Sequence, residues 1–169
     1  MKRKFKFLLY LLLNVYTIGL ISRADLFLSN LSGISRQYYI FELIMGLIMI
    51  VTYGHVIKTI LTNKDFYLFI LSIILAVYLP YIEDNSILMN LHIISCYLGF
   101  GLLNYCLLKT VYSYRIYSLK KFRLLMLIYV LSMTGIFGIY TYSLCVNGLM
   151  EIIFLMMISL IFGIIEYDL

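Results

Sequence analysis

Residues 66 to 111 read FYLFILSIILAVYLPYIEDNSILMNLHIISCYLGFGLLNYCLLKTV. Two apolar runs, Phe66–Ile82 and Ser86–Val111, meet at a short polar turn. The turn region holds the chain's single proline, Pro80, and its one adjacent acidic pair, Glu83-Asp84. Each run has the length, at 1.5 Å per residue, that a helix needs to cross about 30 Å of hydrocarbon. Proline ends a helix because it has no N–H and crowds the residue before it. The stretch therefore reads as a helical hairpin in a membrane.

The same reading extends along the chain. Apolar runs cover Phe5–Ser22, Tyr38–Leu61, Phe66–Ile82, Ser86–Val111, Phe122–Cys145 and Leu149–Ile165. Breakers separate them: Ser32-Gly33, Asn63-Lys64-Asp65, Glu83-Asp84-Asn85 and Asn147-Gly148. Alternating β patterns are absent, and backbone groups in lipid must bond within their own segment, so the runs are expected to be helices. The 169 residues are 64% hydrophobic and only 12% charged. A single soluble core of this length could not hide that much apolar surface. The expected fold is an all-α, polytopic membrane bundle of six helices forming one domain over residues 1–169.

Lys2-Arg3-Lys4 ahead of an apolar run also begins as a signal peptide does, and Ser22-Arg23-Ala24 offers a small-x-small pattern. The run is long for a signal and Asn14 interrupts it, so an uncleaved first helix is expected.

Charge sets the orientation. With the N-terminus inside, only Arg23 and Arg36 of the 13 Lys and Arg fall outside. Asp25, Glu42, Glu83, Asp84 and Glu151 fall on the outer side as well. Lysine and arginine dominate topology, so both termini are expected in the cytoplasm of a multi-pass cell-membrane protein. The net charge of +5 then reflects topology, and no nucleic-acid partner is expected. The densest basic stretch, KTVYSYRIYSLKKFR (Lys109–Arg123), is read as an inner loop. Its Lys109, Arg115, Lys120, Lys121 and Arg123 are candidates for contact with anionic lipid head groups.

Little in the sequence points to catalysis. Cys96, Cys106 and Cys145 are odd in number and form no CxxC, so no disulfide framework is expected. His92 and Cys96 lie four apart on one helical face, but a zinc site would need two more ligands, such as Glu42 or Glu83. His55 and His92 belong near opposite membrane faces, which does not suit a bis-histidine haem. No metal or other cofactor is expected. Gly99-Phe100-Gly101 lacks the lysine and strand of a phosphate loop. Those glycines, with Gly135 and Gly138, are read as close-packing positions, and Asn14 and Asn104 as interhelical hydrogen-bonding groups. Helices 1–3 and 4–6 show no repeat of the transporter kind.

Ionisable groups within or beside apolar spans are the best functional lead. Glu42 and His92 are expected at similar depth near the outer surface, rimmed by Glu83, Asp84 and Glu151. These five are the candidate ligand or proton site.

Two segments carry a family resemblance: SNLSGISRQYYIFELIMGLIMI (Ser29–Ile50) and LPYIEDNSILMNLHIISCYLGFGLLN (Leu79–Asn104). Together they resemble DUF998-type bacterial membrane proteins and the related Frag1/DRAM/Sfk1 six-helix proteins. The matching positions are Asn30, Gly33, Phe41, Gly46, Pro80, Leu91 and His92, and the likeness covers helices 2 to 4. The chain lacks a proline near Arg36-Gln37 that the pattern would have. The resemblance implies a six-helix membrane protein without established enzymatic role, linked in eukaryotic relatives to lipid organisation and membrane signalling. The leading expectation is a non-enzymatic membrane protein that binds lipid or a membrane partner. A small transporter coupled to protons through Glu42 and His92 is the first alternative. A membrane-embedded enzyme acting on lipid or isoprenoid substrates is the second.

Overall fold

The computed structural model describes residues 3–22, 39–79 and 86–168. The chain is all-helical there, with six helices: α1 (Arg3–Ile21), α2 (Tyr39–Ile60), α3 (Asn63–Tyr78), α4 (Ser86–Tyr117), α5 (Leu119–Ser143) and α6 (Gly148–Asp168). Four stretches among the described residues are long and apolar enough to cross a membrane: Leu43–Ile60, Ile87–Tyr117, Leu119–Ser143 and Gly148–Ile165. The expected count of six spanning helices is met in helices but not in span length. α3 has 16 residues, and the apolar part of α1 is the shorter Phe7–Gly19. A helix needs roughly 20 residues to cross the full hydrocarbon layer.

Two boundaries differ instructively from the hydropathy reading. α3 starts at Asn63 because Thr62 and Asp65 form a capping box. The Thr62 hydroxyl accepts from Asp65 N at 3.3 Å, and the Asp65 carboxylate accepts from Thr62 N at 3.1 Å. Two of the orphan N–H groups of the helix start are thereby satisfied. The second difference concerns Lys109–Arg123, read from sequence as a loop. It is helical except at Ser118, which caps α5 by accepting from Lys121 N at 3.4 Å. Lysine, arginine and tyrosine are polar only at their tips, so a helix of them can continue past the apolar layer.

The chain divides into two compact units, Ser32–Cys106 and Met1–Leu31 with Leu107–Leu169. In the first, α3 lies at the centre. α2 packs along it with Tyr53 and Ile57 buried against a core that includes Phe69, Ile73 and Val77. The helices approach closely because glycine lets them. A Cβ added at Gly46 would stand 2.8 Å from Val77 Cγ2, and one at Gly54 would stand 3.2 Å from Phe66 Cε2. That pairing of early α2 with late α3 makes the two antiparallel. On another face of α3, a Cβ at Gly99 of α4 would stand 3.0 Å from Ser72 Oγ.

In the second unit α6 is the central element, packed on by α1 and α5. Its Leu155, Ile158, Ile161 and Phe162 are buried, joined by Tyr10 and Leu13 of α1 and Leu125 of α5. Leu125 is the one buried side chain of α5. The expected close packing at Gly135 and Gly138 is not found. A Cβ at either would meet nothing within 4 Å, and the same holds at Gly101. These glycines sit on a surface that no described residue covers.

Several hydroxyls in the apolar helices bond to their own backbone, although the buried Thr52 hydroxyl of α2 has no partner among the described residues. Thr17, Ser72 and Ser95 donate to the carbonyls of Leu13, Phe69 and Leu91 at 2.7–2.8 Å. A polar side chain satisfied within its own helix needs neither water nor a neighbour. Asn14 behaves likewise: its Nδ2 donates to Tyr10 O at 2.8 Å, within α1. The buried Oδ1 atoms of Asn14 and Asn104 have no hydrogen-bond partner among the described residues. The interhelical bonds expected through these oxygens are therefore absent there.

Candidate functional site

His92 lies in the second turn of α4 and is 3% exposed. Its partner is built by the end of α3. That helix stops at Tyr78, and Leu79 adopts extended φ −91° and ψ 98° while its N–H still bonds Leu75 O. A residue preceding proline is pushed away from the helical region, so Pro80 in the sequence explains the stop. The last carbonyls of a helix have no partner within it. The Leu79 carbonyl finds one in His92 Nδ1, at 2.6 Å.

A carbonyl only accepts, so Nδ1 carries the hydrogen and donates. In the neutral ring Nε2 is then the acceptor. It faces Cys96 Sγ, one turn along the same helix, at 3.6 Å. The order is Cys96 Sγ, His92 Nε2, His92 Nδ1, Leu79 carbonyl. The α3–α4 junction and the histidine are thus one arrangement, with a half-buried thiol at its inner end.

The other members of the candidate ligand or proton site are not assembled around this ring by the described residues. Glu42 belongs to α2, but its side chain lies outside the described residues, as do Glu83 and Asp84 entirely. Glu151 stands in the first turn of α6, in the other unit, with its N–H bonded to Asn147 O at 3.2 Å. A carboxylate there suits the positive end of a helix. Among the described residues, no three His, Cys, Asp or Glu side chains gather as a metal site would need.

The basic candidates form a second locality, within the Leu107–Leu169 part of the chain. Lys109 and Arg115 lie on the last turns of α4, and Lys120, Lys121 and Arg123 on the first turns of α5. A single non-helical residue, Ser118, separates the two groups. Lys109, Arg115, Lys120 and Arg123 are exposed. Arg115 donates to the Tyr112 hydroxyl at 3.1 Å and stands 5.8 Å from that ring's centre. Tyr112 meets Phe122 edge-on at 6.4 Å, tying the end of α4 to the start of α5. Aromatic rings fix the corner while the cations point outward.

Sequence reasoning missed two features. One is the Leu79 carbonyl as the partner of His92; the signal was a Pro-ended helix followed by a histidine in the next. The other is the geometry inside the α5–α6 turn, whose place the Asn147-Gly148 breaker had marked. There Leu144 takes φ 56°, and Asn147 Oδ1 accepts from Met150 N at 3.2 Å, capping α6. Asn-Gly after an apolar run was its signal.

No protein-family model, curated protein or solved structure matches the chain.

Proposed function

We propose that the chain is a multi-pass integral membrane protein, non-enzymatic, which binds lipid or a membrane partner along its bundle surface. The observation carrying this reading is α5. It is 25 residues long, only Leu125 is buried, and Leu131 and Phe137 are 63% and 67% exposed. An apolar face of that extent in water would be an aggregation site, whereas in lipid it is the ordinary exterior. Six membrane-embedded helices, cytoplasmic termini and kinship with the DUF998 and Frag1/DRAM/Sfk1 proteins belong to the same proposal.

The α4–α5 corner is the proposed head-group contact. Its five cations in 15 residues, on the side the positive-inside rule assigns to the cytoplasm, suit anionic lipid. An outward-facing polar pocket around Glu42 and His92 is the second proposed binding place. Proton transport through Glu42 and His92 gains no specific support from the ring's bonds to Leu79 and Cys96.

The test is native mass spectrometry of the full chain released from mild detergent. Anionic phospholipid should remain bound, and the triple variant Lys120→Gln, Lys121→Gln, Arg123→Gln should retain much less. Equal retention of anionic and zwitterionic lipid by both proteins would refute the head-group contact. Orientation is read separately. Cys145 is exposed at the α5–α6 turn, so an impermeant maleimide should label it in intact cells. Labelling only after the cells are opened would reverse the topology.

A further inference from the structure

Cys96 Sγ stands 3.6 Å from His92 Nε2. The other ring nitrogen donates to the Leu79 carbonyl at 2.6 Å, so in the neutral ring Nε2 is the acceptor that faces the thiol. A thiol, a base within reach and a third group that orients the base are the parts that activate sulfur as a nucleophile. The three cysteines differ in access. Cys106 is fully buried, and Cys145 is exposed at the α5–α6 turn. Cys96 lies at the edge of a buried face: Ser95 before it is buried and Tyr97 after it is exposed. The thiol is therefore half-buried, with the imidazole at hand. It lies nine residues into the apolar stretch that starts at Ile87, about 14 Å by helical rise. What reaches it at that depth comes out of hydrocarbon and not out of water.

We propose that Cys96 is a covalent modification site for α,β-unsaturated aldehydes dissolved in the bilayer, the electrophiles that oxidised acyl chains release, with His92 as proton carrier. The inference rests on the membrane placement of α4. Thiolate is the reacting form of sulfur, and the ring is placed to take the proton that forms it. The reaction is conjugate addition. The sulfur bonds to the β-carbon, and the carbon–carbon double bond becomes single. The thiol proton passes to His92 Nε2 and from there to the α-carbon. Thiol and aldehyde join with no leaving group, no net redox change and no further reactant. Acyl transfer to the same thiol would instead expel a polar or charged group into apolar surroundings, at a high desolvation cost.

The experiment uses the full-length chain in sealed lipid vesicles, in a Cys145→Ser background that removes the exposed thiol. Cinnamaldehyde dissolved in the bilayer is the probe. Borohydride fixes the adduct, and mass spectrometry with peptide mapping reads its rate of formation and its place. One adduct per chain, at Cys96, is expected. His92→Gln should slow it on the order of 100-fold. A second chain combines Cys96→Ser with Ile94→Cys. Its thiol lies at nearly the same depth, where the native side chain is 60% exposed, but away from the ring. That thiol should react at least about 10-fold more slowly than Cys96, which answers the question even if the His92 variant fails to fold. Absence of an adduct at Cys96, an unchanged rate in folded His92→Gln, or an equal or faster rate for the Ile94→Cys thiol would each overturn the site. Rapid labelling of Cys96 by an impermeant maleimide would overturn the membrane placement of α4, and with it the bilayer as the source of the electrophile.

Discussion

Gly46 and Gly138 both sit mid-helix in apolar sequence, and the structure uses them in opposite ways. At Gly46 the neighbouring helix is so near that a Cβ would stand 2.8 Å from Val77 Cγ2. At Gly138 nothing lies within 4 Å. Small residues admit close helix contact, but only where a partner uses the space. The α2–α3 pair is thus fitted side chain to backbone, while α5 offers an open face. The difference separates a tightly fitted helix pair from a helix whose glycine face is open.

The sharpest way to break the comparison is to fill both places alike. Gly46→Leu is expected to destabilise the folded chain by about 3 kcal/mol, through forced separation of α2 from α3. Gly138→Leu should change stability little. Thermal unfolding in detergent reads both, and equal effects would end the distinction. Next in size is His92→Ala, which strips the Leu79 carbonyl of its donor. About 2 kcal/mol should be lost, because a buried polar group left unpaired bears its whole desolvation penalty. A stability unchanged within error would show that the α3 end does not depend on the ring.

A third prediction sharpens the contact on the other face of α3. Gly99→Ala would press on Ser72 Oγ, itself bonded to Phe69 O at 2.7 Å. The cost should be about 1 kcal/mol, and Ser72→Ala in the same chain should return most of it. Additive losses would place the strain elsewhere. On the open face the sign should reverse. Gly135→Ala and Gly138→Ala should each stabilise by just under 1 kcal/mol, since alanine is the better helix former and meets no neighbour. A loss there would reveal another helix lying on α5. The smallest effect is expected at Leu144→Gly. Leu144 holds φ 56° and is 79% exposed, so relief of backbone strain should exceed the lost packing by a few tenths of a kcal/mol.

Helix number and order were legible because apolar runs of 17 or more residues alternate with Asn, Asp, Ser and Gly breakers. Helix ends were less so. KTVYSYRIY has the composition of a loop, yet it completes α4, because tyrosine, lysine and arginine stems are apolar and helix-compatible. The short α3 also escaped notice, since a hydropathy run includes its flanking Leu79 and Ile82. Gly46 and Gly138 look alike in one dimension, because what distinguishes them is a neighbour that residue type does not encode. At His92 the charged Glu42 stands out in one dimension, but its side chain lies outside the described residues. The partner described is the Leu79 backbone carbonyl, a group every residue possesses and no residue name announces.

The bond from His92 to Leu79 spans 13 residues, across the turn that follows α3. It has a consequence for synthesis. The capping box at Thr62 and the glycine contacts of α2 need only residues up to Val77, so the hairpin can form as soon as α3 has left the ribosome. Its last carbonyl stays open until the second turn of α4 has followed. The histidine then acts as a latch, fastened only when the third helix of the unit arrives. A chain released before residue 92 would carry the α2–α3 hairpin with the Leu79 carbonyl lacking its donor.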